Sequence, residues 1–179
     1  MTNFDDLDFY PGEEQYAVPH RCRILEWGIA QPKAGEQGVQ VILKMHCVQY
    51  WDSETKTWNA LEAPMDKYKL SGEWTLIKKD GTVNPSGLDQ LQRANIGLDA
   101  GMIAYMANNA PPETLVVVET ELDEYNGKKR VRPTWLNSAE HIPGTGGARP
   151  MATKEQMLAM NEQQSSKLRA LAKPVPPGK

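Results

Sequence analysis

Residues 39–51, VQVILKMHCVQYW, decide the fold. Val39, Val41, Leu43, Met45 and Cys47 fall at every second position, with Gln40, Ile42, Lys44, His46 and Val48 between them. Side chains alternate across a strand, so this period of two predicts a strand with one apolar face toward a core. The run is longer than an ordinary strand and calls for a bulge or bend.

Working outward, Arg21 to Ala30 (RCRILEWGIA) follows Pro19 and reads as a strand, with Leu25, Trp27 and Ile29 on one face and Ile24 on the other. Pro32-Lys33-Ala34-Gly35 makes the intervening turn. On the other side, Asp52 to Lys56 forms a polar hairpin tip. A third extended region starts at Trp58, breaks at Pro64 and resumes over Lys67 to Lys78, where Tyr68, Leu70, Trp74 and Leu76 share a face. Lys79-Asp80-Gly81-Thr82 is a turn signal. Ser86 is the predicted cap of a helix over Gly87 to Asn95, and a second helical piece covers Asp99 to Asn108, stopped by Pro111-Pro112. Strand four is Thr114 to Leu122 and strand five Lys129 to Asn137, joined by Tyr125-Asn126-Gly127-Lys128.

The order β-β-β-α-β-β predicts a mainly β fold: a five-stranded OB-type β-barrel with a helix between strands 3 and 4, plus a C-terminal helical tail. It argues against a parallel α/β sheet, because the first three strands lack crossover helices. Residues 1–16 read as an acidic mobile arm, 17–142 as the OB domain and 143–152 as a Gly/Pro-rich linker. Residues 153–179 read as a basic tail, helical and then extended, with Thr153 as the helix cap.

Across 179 residues the net charge is −3, which does not suit a protein coating duplex DNA. It leaves a single-strand binder open, because a local basic groove matters more than the total. Acid is concentrated in residues 1–15, and from 145 onward Arg149, Lys154, Lys167, Arg169, Lys173 and Lys179 outnumber Glu155 and Glu162. No apolar run reaches bilayer length and the first residues lack signal-peptide features, so the expected location is the cytoplasm. Cys22 and Cys47 read as buried free thiols, and no Cys or His pair has ligand spacing, so neither a metal nor another cofactor is expected.

Two clusters interleave cations with aromatic rings. Lys67, Lys69, Lys78 and Lys79 accompany Tyr68 and Trp74; Lys128, Lys129, Arg130 and Arg132 accompany Tyr125 and Trp135. The cations suit phosphates, and flat rings stack on unpaired bases for about 1–3 kcal/mol each. The plainer alternative is that the cations are solvated and the tryptophans are core. On strand five, Arg130, Arg132, Thr134 and Leu136 share one face and Lys129, Val131, Pro133 and Trp135 the other, making Trp135 and Val131 candidate core partners. Glu119, Glu121, Asp123 and Glu124 offer carboxylates for a metal-dependent nuclease, the weaker rival. Gly144 to Gly147 lacks the strand, helix and GK[ST] of a phosphate loop. No enzyme is expected.

The segments 69–82 (KLSGEWTLIKKDGT), 88–97 and 124–137 (EYNGKKRVRPTWLN) resemble bacteriophage single-stranded DNA-binding OB proteins of replication and recombination modules. The likeness spans about residues 17–142 and is most specific in the final hairpin. It implies sequence-tolerant binding of single-stranded DNA in the host cytoplasm, without catalysis. Replication or recombination proteins would be engaged through the arm or tail, with homo-oligomerisation open. Many such proteins end in an acidic tail, whereas this chain ends basic. The rival from the same fold is an OB-like protein-interaction adaptor of a replication or recombination complex.

Overall fold

The computed structural model describes residues 1–31, 33–96, 102–144 and 152–171. The chain divides into two units, Met1–Pro143 and Gly144–Lys179. In order, the first runs β1 (Asp8–Phe9), β2 (His20–Ile29), β3 (Val39–Asp52), β4 (Thr57–Ala60), β5 (Tyr68–Ile77), α1 (Pro85–Arg93), α2 (Met102–Asn108), β6 (Leu115–Tyr125) and β7 (Lys128–Ser138). Single 3-10 turns lie at Phe4–Asp6, Glu14–Tyr16 and Met65–Lys67. The fold is mainly β, as expected.

The sheet departs from a closed five-stranded barrel. Seven strands form one mixed sheet, ordered β1-β5-β3-β2-β6-β7, with β4 attached to β3. β5 and β7, at the ends of the long-strand series, lie against each other, yet no hydrogen-bonded ladder joins them among the described residues. Part of the reason is local: β1 pairs in parallel with β5 at Tyr68 and Lys69, taking edge groups that a closing strand would need.

The central strand behaves as its alternation requires. Val41, Leu43, Met45 and Cys47 are fully buried. The expected irregularity is at Val48, skipped between the Arg21–Gln49 and Cys22–Cys47 pairs. β2 holds one that the alternation alone did not reveal. Leu25 is an extra residue between the Ile24–Met45 and Glu26–Lys44 pairs, and such a bulge reverses which side chains face the core. Trp27 and Ile29 therefore join buried Ile24 against the core instead of facing away from it, while Leu25 does not. Cys22 and Cys47 face each other as free thiols, with sulfurs 3.3 Å apart.

At one end of the sheet, α1 covers Trp74 and Leu76. Its first residue is Pro85, whose fixed φ suits a helix start. The predicted cap Ser86 lies inside the first turn and accepts from Gln90 Nε2 at 3.4 Å; Asn84 holds the cap position. Gln90 is buried, and its Oε1 accepts from both Trp74 Nε1 and the Leu136 backbone N–H at 3.0 Å. One amide thus ties β5 to β7 where no ladder does.

Residues 1–16, read as a mobile arm, are packed here. Phe4, Leu7 and Tyr10 are buried, and the ring of Tyr10 lies 4.5 Å from Tyr68 and 4.7 Å from His20. Gly12 meets β7 so closely that a Cβ there would lie 2.1 Å from the Lys129 carbonyl oxygen. Only a glycine permits that approach. In the second unit, α3 (Lys154–Leu171) begins with the expected cap: Thr153 Oγ1 accepts from Gln156 N, and Gln156 Oε1 accepts from Thr153 N. This reciprocal pair satisfies two backbone donors. The corner Pro32, the predicted helix start at 99–101, linker residues 145–151 and the tail from 172 lie outside the described residues. Among the described residues, no helix is long and apolar enough to cross a membrane.

Candidate nucleic-acid interface

The β6–β7 hairpin turns through Asn126 and Gly127, whose φ angles of 53° and 73° are those of a two-residue turn matched to strand twist. The tight turn fixes the register Tyr125–Lys128, Asp123–Arg130 and Glu121–Arg132. Both candidate arginines are thereby paired with acids. Arg130 donates to Asp123 Oδ2 through Nε at 3.1 Å and Nη2 at 2.9 Å, and Arg132 donates to Glu121. The bond from Arg130 holds the Asp123 carboxyl below its ordinary pKa, and the bond to Glu121 raises that of Arg132. A phosphate arriving here must compete with carboxylates already in place.

Beyond that ladder, Tyr125 is 62% exposed at the tip with the Arg130 guanidinium 5.1 Å from its ring centre. Lys128 and Lys129 are exposed and form no ion pair among the described residues. Trp135 corrects the face assignment. Thr134 is an extra residue between the Thr120–Pro133 and Glu119–Trp135 pairs, so Val131 and Leu136 are buried while Trp135 stands 36% exposed. It is a partly open ring, not a core partner of Val131.

The β5 cluster is divided. Lys67 is exposed and Tyr68 half-buried. Lys69 is only 8% exposed: its Nζ donates to the Phe4 carbonyl at 3.0 Å and lies 4.5 Å from the Phe4 ring and 4.7 Å from the Phe9 ring. Trp74 is 5% exposed and belongs to the core. As the protein is folded here, Lys69 is shielded from phosphates and Trp74 from bases. Lys78 and Lys79 are exposed at the far end of β5 from Lys67, and Lys79 pairs with Glu36 at 3.1 Å. One cluster in sequence is two separate places in space. Pro11-Gly12 and Tyr10 connect the Tyr68 end of β5 to Lys129, so Lys67, Tyr68 and Lys129 belong to the same end of the sheet.

Three of the four carboxylates considered for a metal have other neighbours: Asp123 and Glu121 pair with the two arginines, and Glu119 lies 3.5 Å from His141 Nε2. At the end of the sheet opposite α1, a cavity of about 380 Å³ is lined by Tyr10, Tyr16, His20, Tyr50, Leu61 and Met65 among others. Burial lowers the His20 pKa to about 4, so the imidazole is neutral at ordinary pH.

A further basic-aromatic group was missed. On the outer face of β2, β3 and β4, the Arg21 guanidinium lies 4.5 Å from the centre of the Trp58 ring, and Trp58 meets Trp51 edge-on at 5.2 Å. The signal in sequence is weak. Arg21-x-Arg23 and Gln49-x-Trp51 each alternate, but that they share a face follows from the pairings Arg21–Gln49 and Trp51–Trp58. No protein-family model matches the chain, and no curated protein matches it in sequence.

Proposed function

We propose that this chain is an OB-type protein that binds single-stranded DNA with little regard to sequence, coating and protecting it in phage DNA replication or recombination, without catalysis. The observation that carries the reading is the hairpin tip, where exposed Tyr125 adjoins Lys128 and Lys129, cations without acid partners among the described residues. A ring offers stacking to any base and the ammoniums neutralise phosphates, so neither selects a sequence. The order of the five long strands, β5-β3-β2-β6-β7 with helices between β5 and β6, supports an OB-type barrel whose first strand is β2.

Binding would be reversible coating, weakened by salt as counterions return to the phosphates. Other replication or recombination proteins would dock on the arm or tail. The experiment is fluorescence anisotropy of a labelled thymidine oligonucleotide against a duplex and a uridine oligonucleotide of equal length. Salt-sensitive binding that favours the thymidine strand is expected; equal affinity for duplex, or none for the strand, overturns the reading.

One observation favours a second reading, the protein-interaction adaptor. Met157, Leu158 and Met160 on α3 are each more than half exposed, as on a helix that docks its apolar residues into a partner groove. Binding of a replication or recombination protein that survives deletion of every DNA contact, with no affinity for oligonucleotides, would favour it.

A further inference from the structure

We infer that the outer face of β2, β3 and β4, centred on Arg21 and Trp58, is a contact surface for single-stranded DNA. The inference rests on the binding reading above and adds a site to it. Five arginines lie in the described residues with side chains in view. Arg93, Arg130 and Arg132 each pair with a carboxylate: Asp89, Asp123 and Glu121. Arg21 and Arg23 form no ion pair among the described residues. Two residues apart on one strand, they point to the same side of the sheet.

Arg21 is held in place without being neutralised. Its guanidinium stacks on Trp58, its Nη1 donates to the neutral amide oxygen of Gln49 at 3.2 Å, and its Nε is buried without a hydrogen-bond partner in the protein, so a phosphate would meet the Nη end of the group. The indole N–H of Trp58 is likewise buried and without one. A phosphate reaching Arg21 gains a charge-assisted hydrogen bond and displaces no acid, which is the reverse of the situation at Arg130 and Arg132. Two half-buried indoles, Trp51 and Trp58, supply the flat surface that a base beside that phosphate needs. Stacking already fixes the guanidinium, so less side-chain freedom is lost on binding.

The test compares wild type with Arg21→Gln/Arg23→Gln, with Arg23→Gln alone, and with Arg93→Gln as a control that removes one charge from α1, the same loss as Arg23→Gln. Thymidine-oligonucleotide affinity is measured across a salt series, with urea unfolding to check each fold. The double variant is expected to lose at least about tenfold in affinity. Its log–log salt slope should flatten by about 1.4, two contacts at about 0.7 each, while the control stays close to wild type. Arg23 is exposed, so its single variant keeps the fold and should show about half that change in slope. If wild type binds and the arginine variants match the control, this surface is not a DNA contact, although the functional reading stands. If wild type does not bind, the functional reading fails and the inference with it.

Discussion

The indole N–H of Trp74 on β5 donates to the side-chain oxygen of Gln90 on α1 at 3.0 Å, inside the core. Because Leu136 N on β7 donates to the same oxygen, Gln90→Leu strands two buried donors at once. The expected cost is about 3 kcal/mol, read as a lower urea midpoint with unchanged slope. Oligonucleotide affinity of the folded fraction should not move, since none of these atoms is accessible. An unchanged midpoint would mean that Gln90 does not hold β5 and β7 together.

Lys69 is the cation that the fold withholds from solvent. Lys69→Met keeps the apolar stem between Phe4 and Phe9 but removes the charge and its bond to the Phe4 carbonyl. Affinity for a thymidine strand should stay within about twofold, against a tenfold step for each 1.4 kcal/mol lost at a true contact. A large drop would show that the arm opens to let DNA reach Lys69.

Acid should weaken the fold through His20. Its pKa is about 4 when folded, because burial opposes the charged ring, and about 6.5 when unfolded. Below about 6.5 the unfolded chain takes up a proton that the folded chain refuses until about 4, so stability falls across that window. The loss approaches roughly 3 kcal/mol by its lower end. Urea midpoints for wild type should drop on acidification more steeply than for His20→Gln. Parallel curves would exclude His20 as the source.

Freeing the hairpin arginines should strengthen binding. Glu121→Gln/Asp123→Asn removes the carboxylates that hold Arg130 and Arg132. Tighter binding to a thymidine strand is expected, with a salt slope steeper by about 1.4 if both cations then reach phosphates. Unchanged affinity and slope would place the strand away from this ladder.

Much of the sheet was legible because its signals are local. The period of two in 39–51, the Asn126-Gly127 turn and the polar tip at 52–56 each specify their own geometry. Single-residue bulges were not legible. Leu25 and Thr134 reverse a face, and whether a strand contains an extra residue depends on its partner. That is why strict alternation separated Ile24 from Trp27 and Ile29 and set Trp135 on the same face as Val131. The candidate site was harder still. Composition brought Lys69 and Trp74 into a basic-aromatic cluster, but whether a Lys is free depends on what covers it, here Phe4 and Phe9 from sixty residues away. For the same reason the acid partners of Arg130 and Arg132 appeared only with the hairpin register, and the Arg21–Trp58 stack only with the β2–β3–β4 pairing.

The central claim, that the folded chain binds single-stranded DNA by charge and stacking, is most directly tested by its own tryptophan fluorescence. Trp51, Trp58 and Trp135 are not fully buried and would report a stacked base, while Trp74 in the core would not. Adding a thymidine oligonucleotide at low salt should quench the emission, and raising the salt should restore it. Emission that does not change with the strand at low salt, together with no binding by anisotropy, would contradict the account.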